Sequence, residues 1–288
     1  AQAAHDLCRA HSVFHWWLAF PQVAAKGGFA VMLGNPPWEV SQLGEEEFFA
    51  ARAPSIAKLS GDKRKKAITA LATELPWLWN EYQTAKRGYE ASNLFYRESG
   101  RYPLSAVGKL NTYRLFAEAI AQLASQKGRA GFIVPTGIAT DDTAKDYFAH
   151  VSQNARLASL LDFENSEAVF PAVHRSYKFS LMTLGAAKAA EFVCFATQVA
   201  QATDPRRRFT LTPDEFRLIN PNTRTCPVFR SQRDAELTKK LYRAAPVLIR
   251  EAEMDGEGKD AREVAPEINP WGISFSQGLF NMTSASDL

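Results

Sequence analysis

Short apolar runs alternate with amphipathic stretches along most of the chain. Residues 5–19 predict a helix with an aromatic stripe of Phe14, Trp16 and Trp17 beside Leu18, ended at Pro21. Phe29-Ala-Val-Met-Leu-Gly34 has strand length and lies between glycines and prolines, which predicts a buried strand of a parallel sheet. Residues 44–100 are more polar and more aromatic, and read as a helical insertion between two sheet elements. Over residues 110–126, Leu115, Phe116, Ala119, Ile120 and Leu123 keep helical spacing, and Lys127-Gly128 predicts a glycine cap. Further strands are predicted at 130–134, 157–163, 177–184 and 191–196. Asp141-Asp142-Thr143 opens a helix to about residue 152, and another helix spans 232–244. Residues 251–263, with six acids and two bases, read as an exposed loop.

Strand alternating with helix argues for an α/β fold with an open sheet, in which ligands bind beyond the carboxyl ends of the strands. Two regions are expected: residues 1–203, with the insertion at 44–100, and a looser α+β extension over 204–288.

Composition narrows the function classes. Lys and Arg number 34 against 31 Asp and Glu, so the net charge of +3 excludes a strongly basic coat while leaving local basic patches open. Cys8, Cys194 and Cys226 are odd in number and far apart, which excludes a disulfide framework or a Cys-x-x-Cys metal knuckle. A reducing, cytoplasmic location is the expectation. No apolar run approaches membrane length, so no membrane partner is expected. His11 and His15 have metal-ligand spacing, yet no third ligand accompanies them and no metal is expected.

The sharpest chemical signal is Asn35-Pro36-Pro37-Trp38, placed where the strand at 29–34 ends. A planar exocyclic amine has its lone pair conjugated with the ring. Acceptors aimed at its two hydrogens draw the nitrogen toward tetrahedral geometry and toward an electrophilic methyl group. The Asn35 side-chain oxygen and the Pro36 carbonyl are such acceptors, and two successive prolines remove competing backbone donors. Trp38 offers a flat face for a base lifted out of a duplex.

The run 27–38, Gly-Gly-Phe-Ala-Val-Met-Leu-Gly-Asn-Pro-Pro-Trp, resembles the catalytic segment of adenine-N6 DNA methyltransferases. It is similar in particular to the large type II restriction-modification enzymes that fuse methylase and endonuclease. The segments at 111–116, 132–142, 161–165, 170–179, 220–225 and 229–238 extend the resemblance over most of the chain. The resemblance implies a partial Rossmann-like sheet, the C-terminal half of an S-adenosylmethionine-dependent methyltransferase domain, with the extension leading to a target-recognition region. It implies methyl transfer to a flipped-out adenine, with Asn35, Pro36, Pro37 and Trp38 as catalytic residues and double-stranded DNA as partner.

The glycine-rich S-adenosylmethionine loop of the family is missing from the 34 residues before Asn35. It is expected upstream in the same polypeptide, which then acts as a partner, and the isolated chain is expected to be inactive. Asn111 and Tyr113 are the cofactor-binding candidates, although Asn111 reads equally as a helix cap. Pro135, Thr136 and Asp141 are candidates for the base pocket, and Tyr147 or Phe148 for an aromatic against the base. Lys63, Arg64, Lys65 and Lys66 with the aromatic residues at 77–96, and His174, Arg175 and Lys178, are candidates for DNA phosphates, weighed against plain solvated surface. Asp162 and Glu164 are not read as an acid/base pair. Two alternatives remain open: methylation of a protein glutamine amide, and a non-catalytic DNA-recognition or assembly fragment without a cofactor site.

Overall fold

A computed structural model of the chain describes residues 2–10, 13–255 and 262–275. Its helices are α1 (Gln2–Ala10), α2 (Trp16–Ala19), α3 (Pro21–Ala24), α4 (Glu45–Arg52), α5 (Pro54–Ala57), α6 (Gly61–Glu74), α7 (Pro76–Glu98), α8 (Thr112–Leu123), α9 (Gly137–Thr140), α10 (Lys145–Gln153), α11 (Pro213–Ile219) and α12 (Gln232–Ala244). The strands are β1 (Phe29–Gly34), β2 (Ala124–Pro135), β3 (Leu157–Glu164), β4 (Lys178–Leu184), β5 (Ala190–Ala196), β6 (Phe209–Leu211), β7 (Glu253–Asp255) and β8 (Arg262–Ala265).

The α/β architecture is built on a mixed sheet of six strands in the order β1-β2-β4-β3-β5-β6. β1 pairs parallel with β2 and β3 pairs parallel with β5, whereas β4 is antiparallel to both its neighbours and β6 is antiparallel to β5. Hence β1, β2, β3 and β5 all run one way and end on one rim, while β4 starts there. The 165–177 connection carries no helix longer than a 3-10 turn, and it returns β4 antiparallel between β2 and β3.

The main core lies under β2, β3, β4 and β5, where Phe132, Val134, Leu160, Met182 and Phe192 are buried against α8 and α10. Tyr147 and Phe148 belong to this core, at 1% and 0% exposure, so neither reaches a base. Their positions in the amphipathic α10 put both rings inward, where Phe148 meets Phe216 edge-on.

Other expectations are also corrected. Among the described residues β1 pairs with β2 alone, and Val31 and Leu33 are 65% and 84% exposed, where a buried strand was expected. The helix expected over 5–19 is broken: α1 stops at Ala10 and α2 begins at Trp16, after an extended His15. Phe14, Trp16, Trp17 and Phe20 instead gather with Phe29, at the start of β1. His11 lies outside the described residues, and His15 is exposed. Among the described residues no group of three or more His, Cys, Asp or Glu is placed to hold a metal, and no helix is long and apolar enough to cross a membrane. Of the stretch 251–263, expected as an exposed loop, residues 253–255 and 262–263 lie in the paired strands β7 and β8, and residues 256–261 lie outside the described residues.

Lys127 and Gly128 do not cap α8 but lie inside β2. α8 passes directly into the strand at Ala124, and Gly128 serves a close approach of two backbones. A Cβ there would sit 2.6 Å from the Phe29 carbonyl oxygen and 2.8 Å from that of Ala30. Gly128→Ala is therefore expected to push β1 from β2 and to cost about 1–3 kcal/mol; a urea midpoint equal to wild type would refute this.

The insertion α4–α7 builds its own core from Phe48, Phe49, Ile68, Leu71, Leu78 and Tyr82. Burial, reinforced by the hydrogen bond to Glu45, pushes the Tyr82 phenol up to about 12. At the far end of the chain, Glu215 ties α11 to α12. It closes a capping box with Thr212 and meets Lys239 at 3.3 Å and Arg243 at 2.8 Å. Lys239 is 4% exposed, so losing this partner leaves a buried ammonium with only Glu236 and the Thr210 carbonyl. Glu215→Ala is expected to destabilise the protein by about 2–4 kcal/mol, measured against Asp214→Ala, whose exposed pair with Arg217 contributes under about 1 kcal/mol.

Candidate active site

The rim where β1, β2, β3 and β5 end gathers the chemistry. Asn35 follows β1 directly, Thr136 follows β2, and Asn165 follows β3. Asn35 is exposed, Pro36 is buried, Pro37 is exposed and Trp38 is half-buried. Among the described residues neither the Asn35 side chain nor the Pro36 carbonyl takes a hydrogen bond. The rest of the turn is pinned from two sides. The Trp38 indole N–H donates to the Ile133 carbonyl at 3.3 Å, and its ring packs on Phe163 and Phe179 side of the core as well as on the main cluster. Thr112, the first residue of α8, donates its hydroxyl to the Pro37 carbonyl at 2.7 Å and accepts from the Glu39 amide at 3.0 Å.

Asn111 caps α8, its side chain accepting from the Tyr113 amide at 3.3 Å. Tyr113 is 6% exposed, and burial raises its phenol despite the opposing charge of Arg114. The residue between them, Thr112, was not singled out by the sequence. Its contacts reach 73 and 75 residues back along the chain, and no local pattern reports such a link.

Where β2 ends and β4 begins, a cleft of about 410 Å³ opens between Pro135, Thr136, Thr140, Asp141, Tyr177 and Lys178; none of Asn35–Trp38 lines it. It falls within the range of small-ligand sites. The structure thus brings the expected pocket residues together with the loop that carries His174, Arg175 and Lys178. All three basic residues are exposed. The Lys178 ammonium pairs with Glu164 at 2.8 Å, Arg175 donates to the Ser166 carbonyl at 3.4 Å, and the His174 ring meets the Ser176 hydroxyl at 2.7 Å. Tyr177 is a member of this cleft that the sequence did not mark.

The basic run on α6 is divided. Lys63, Lys65 and Lys66 are exposed, whereas Arg64 turns inward to Glu46 at 3.2 Å and to the Ala57 carbonyl at 2.7 Å. Arg64 also lines a second, larger groove, of about 930 Å³, that includes Glu39 next to Trp38.

Beneath the rim lies Asp162, 3% exposed. One of its oxygens accepts from the hydroxyls of Thr136 and Ser180, and the other from the Phe195 amide. It is an anchor between four strands, not a catalytic acid. Cys194 and Cys226 are buried, and burial pushes the Cys194 thiol up to about 12, so neither supplies a thiolate.

Residues 76–170 match the family model described as "Eco57I restriction-modification methylase". No curated protein matches the chain. Among solved structures, it is similar to the methyltransferase subunit of the type I restriction-modification system from Streptococcus thermophilus: 11% identical, TM-score 0.36, covering 48% of this chain and 35% of that one. It is also similar to the type IIG restriction endonuclease BpuSI: 12% identical, TM-score 0.39, covering 73% of this chain and 21% of that one. The chain therefore spans only about a third of the length of the first and a fifth of the second. The matched residues begin at α7, after the Asn35–Trp38 turn, and run through α8, β2, α10 and β3 into the loop beyond. That match, about a third of the chain, is a similarity to the restriction-modification methylase family confined to residues 76–170.

Proposed function

We propose that this chain carries the target-base half of a DNA adenine-N6 methyltransferase of a restriction-modification system. The observation that carries the reading is the pair of unengaged acceptors, the Asn35 side-chain oxygen and the Pro36 carbonyl, at the rim where the parallel strands end. The turn beyond them is tied down at the Pro37 carbonyl, the Trp38 indole and Glu39, which limits how far the Pro36 carbonyl can move before a ligand arrives. Preorganised polar groups of this kind favour the reacting geometry without reorganisation at the moment of reaction.

In this reading an adenine leaves the duplex and enters beside Trp38. Its amine donates one hydrogen to Asn35 and one to Pro36. Unstacking the base costs a few kcal/mol, which these bonds and ring contact offset. His174, Arg175 and the exposed lysines of α6 would meet phosphates, a sequence-independent contribution that weakens with salt.

The methyl donor in this reading is S-adenosylmethionine. The residues assigned to it do not form its main site: Asn111 is spent as a helix cap and Tyr113 is buried. This chain's residues are therefore assigned to the target base and not to the donor, and no step is derived through it.

The test is incubation of the full-length protein with duplex DNA and methyl-labelled S-adenosylmethionine, followed by identification of the labelled base. Label on adenine N6 is the expected result. Label on protein would favour glutamine methylation, and no label with retained DNA binding would favour a non-catalytic recognition role.

A further inference from the structure

Two successive prolines leave the turn with an unusual support problem. Pro36 and Pro37 have no amide hydrogens, so these two residues can be hydrogen-bonded to their surroundings only through their carbonyls. Downstream, the backbone solves this in the ordinary way. The Thr112 amide donates to the Glu39 carbonyl at 2.9 Å, the Ser41 amide to the Leu110 carbonyl at 3.0 Å, and Val40 bridges Asn111. None of those bonds reaches the prolines.

The Thr112 hydroxyl does. It has one hydrogen to give, and the Pro37 carbonyl at 2.7 Å is nearer than the Glu39 carbonyl at 3.2 Å, which the Thr112 amide already serves. Its lone pair accepts from the Glu39 amide at 3.0 Å. One side chain thus spans Trp38, holding the groups on either side of it. It also occupies the Pro37 carbonyl, while the adjacent Pro36 carbonyl stays unengaged.

We propose that Thr112 is a positioning residue for the Asn35–Trp38 turn, holding the Pro37 carbonyl and Glu39 amide so that the Asn35 and Pro36 oxygens converge on the target amine. The role assigned to the turn rests on the function proposed above; the strap itself does not. Thr112 touches no reacting atom. Its loss releases the Pro37 carbonyl as a competing acceptor and lets the turn relax.

The test compares Thr112→Val, which keeps the branched shape and removes the hydroxyl, with Thr112→Ser, which restores it. In the full-length protein Thr112→Val is expected to lower kcat about ten- to hundredfold, with KM for DNA and the thermal midpoint near wild type, and Thr112→Ser to recover most of the rate. Hydrogen exchange at the Glu39 amide is read in parallel and should quicken about tenfold in the valine variant alone. A valine variant with wild-type kcat and exchange would overturn the proposal, and so would a serine variant as slow as the valine, since that implicates packing. If wild type transfers no methyl group, the functional reading falls, while the exchange rates still decide whether the hydroxyl holds the turn.

Discussion

Asn35→Ala is expected to reduce methyl transfer by the full-length protein about a thousandfold or more, a loss of about 4 kcal/mol of transition-state stabilisation. The side chain is exposed and unengaged, so its removal leaves no hole and breaks no bond of the fold. Stability and DNA affinity should therefore stay near wild type, and the loss should fall on kcat. Asn35→Asp sharpens the point: a carboxylate keeps the acceptors and loses only the amide's donors, so it should retain more activity than alanine. The measurement is a single-turnover rate with labelled methyl donor, alongside a DNA-binding titration. An alanine variant that methylates at the wild-type rate would remove Asn35 from the chemistry.

The second large effect is structural and lies directly beneath. Asp162→Ala should destabilise the protein by about 3–4 kcal/mol. It strands the Thr136 and Ser180 hydroxyls and the Phe195 amide at a site 3% exposed to solvent, and each unsatisfied buried donor costs about 1–3 kcal/mol. Phe195 adopts a left-handed backbone at φ 58°, beside the shift of register between β3 and β5, so its amide has no ladder partner to fall back on. Asp162→Asn keeps one acceptor oxygen for the two hydroxyls but turns an amide donor toward the Phe195 N–H, and should cost about half as much. Thermal midpoints report the series, at about 2–4 °C per kcal/mol for a chain of this size. A loss under about 1 kcal/mol for alanine would mean that water replaces the carboxylate.

Much of this site was visible without coordinates because its chemistry is local. Asn35-Pro36-Pro37-Trp38 is contiguous, and the glycine and proline boundaries around 29–34 place it at a strand end. The strands at 157–163, 177–184 and 191–196 and the helix at 232–244 recur within one residue at each end. Periodicity serves well where packing follows the local pattern. It serves poorly where a neighbour decides: the run 29–34 is as apolar as a buried strand, yet among the described residues β1 pairs with β2 alone and Val31 and Leu33 are exposed. Lys127-Gly128 looks like a helix stop, but the glycine is demanded by the Phe29 and Ala30 carbonyls, about a hundred residues earlier in the chain. Tyr147 and Phe148 were candidates beside a base through their place in the sequence, and the inward face of α10 buries them instead.

By itself, the order of residues determined the α/β alternation and the acceptor-bearing turn with its family resemblance, since each is written in neighbours along the chain. Only the tertiary structure decided which acceptors remain open. The antiparallel return of β4, the Thr112 strap across 75 residues and the Asp162 anchor among four strands are pairings between distant segments. Hydrogen bonds of that kind form when the chain closes on itself, and no window of sequence contains both partners.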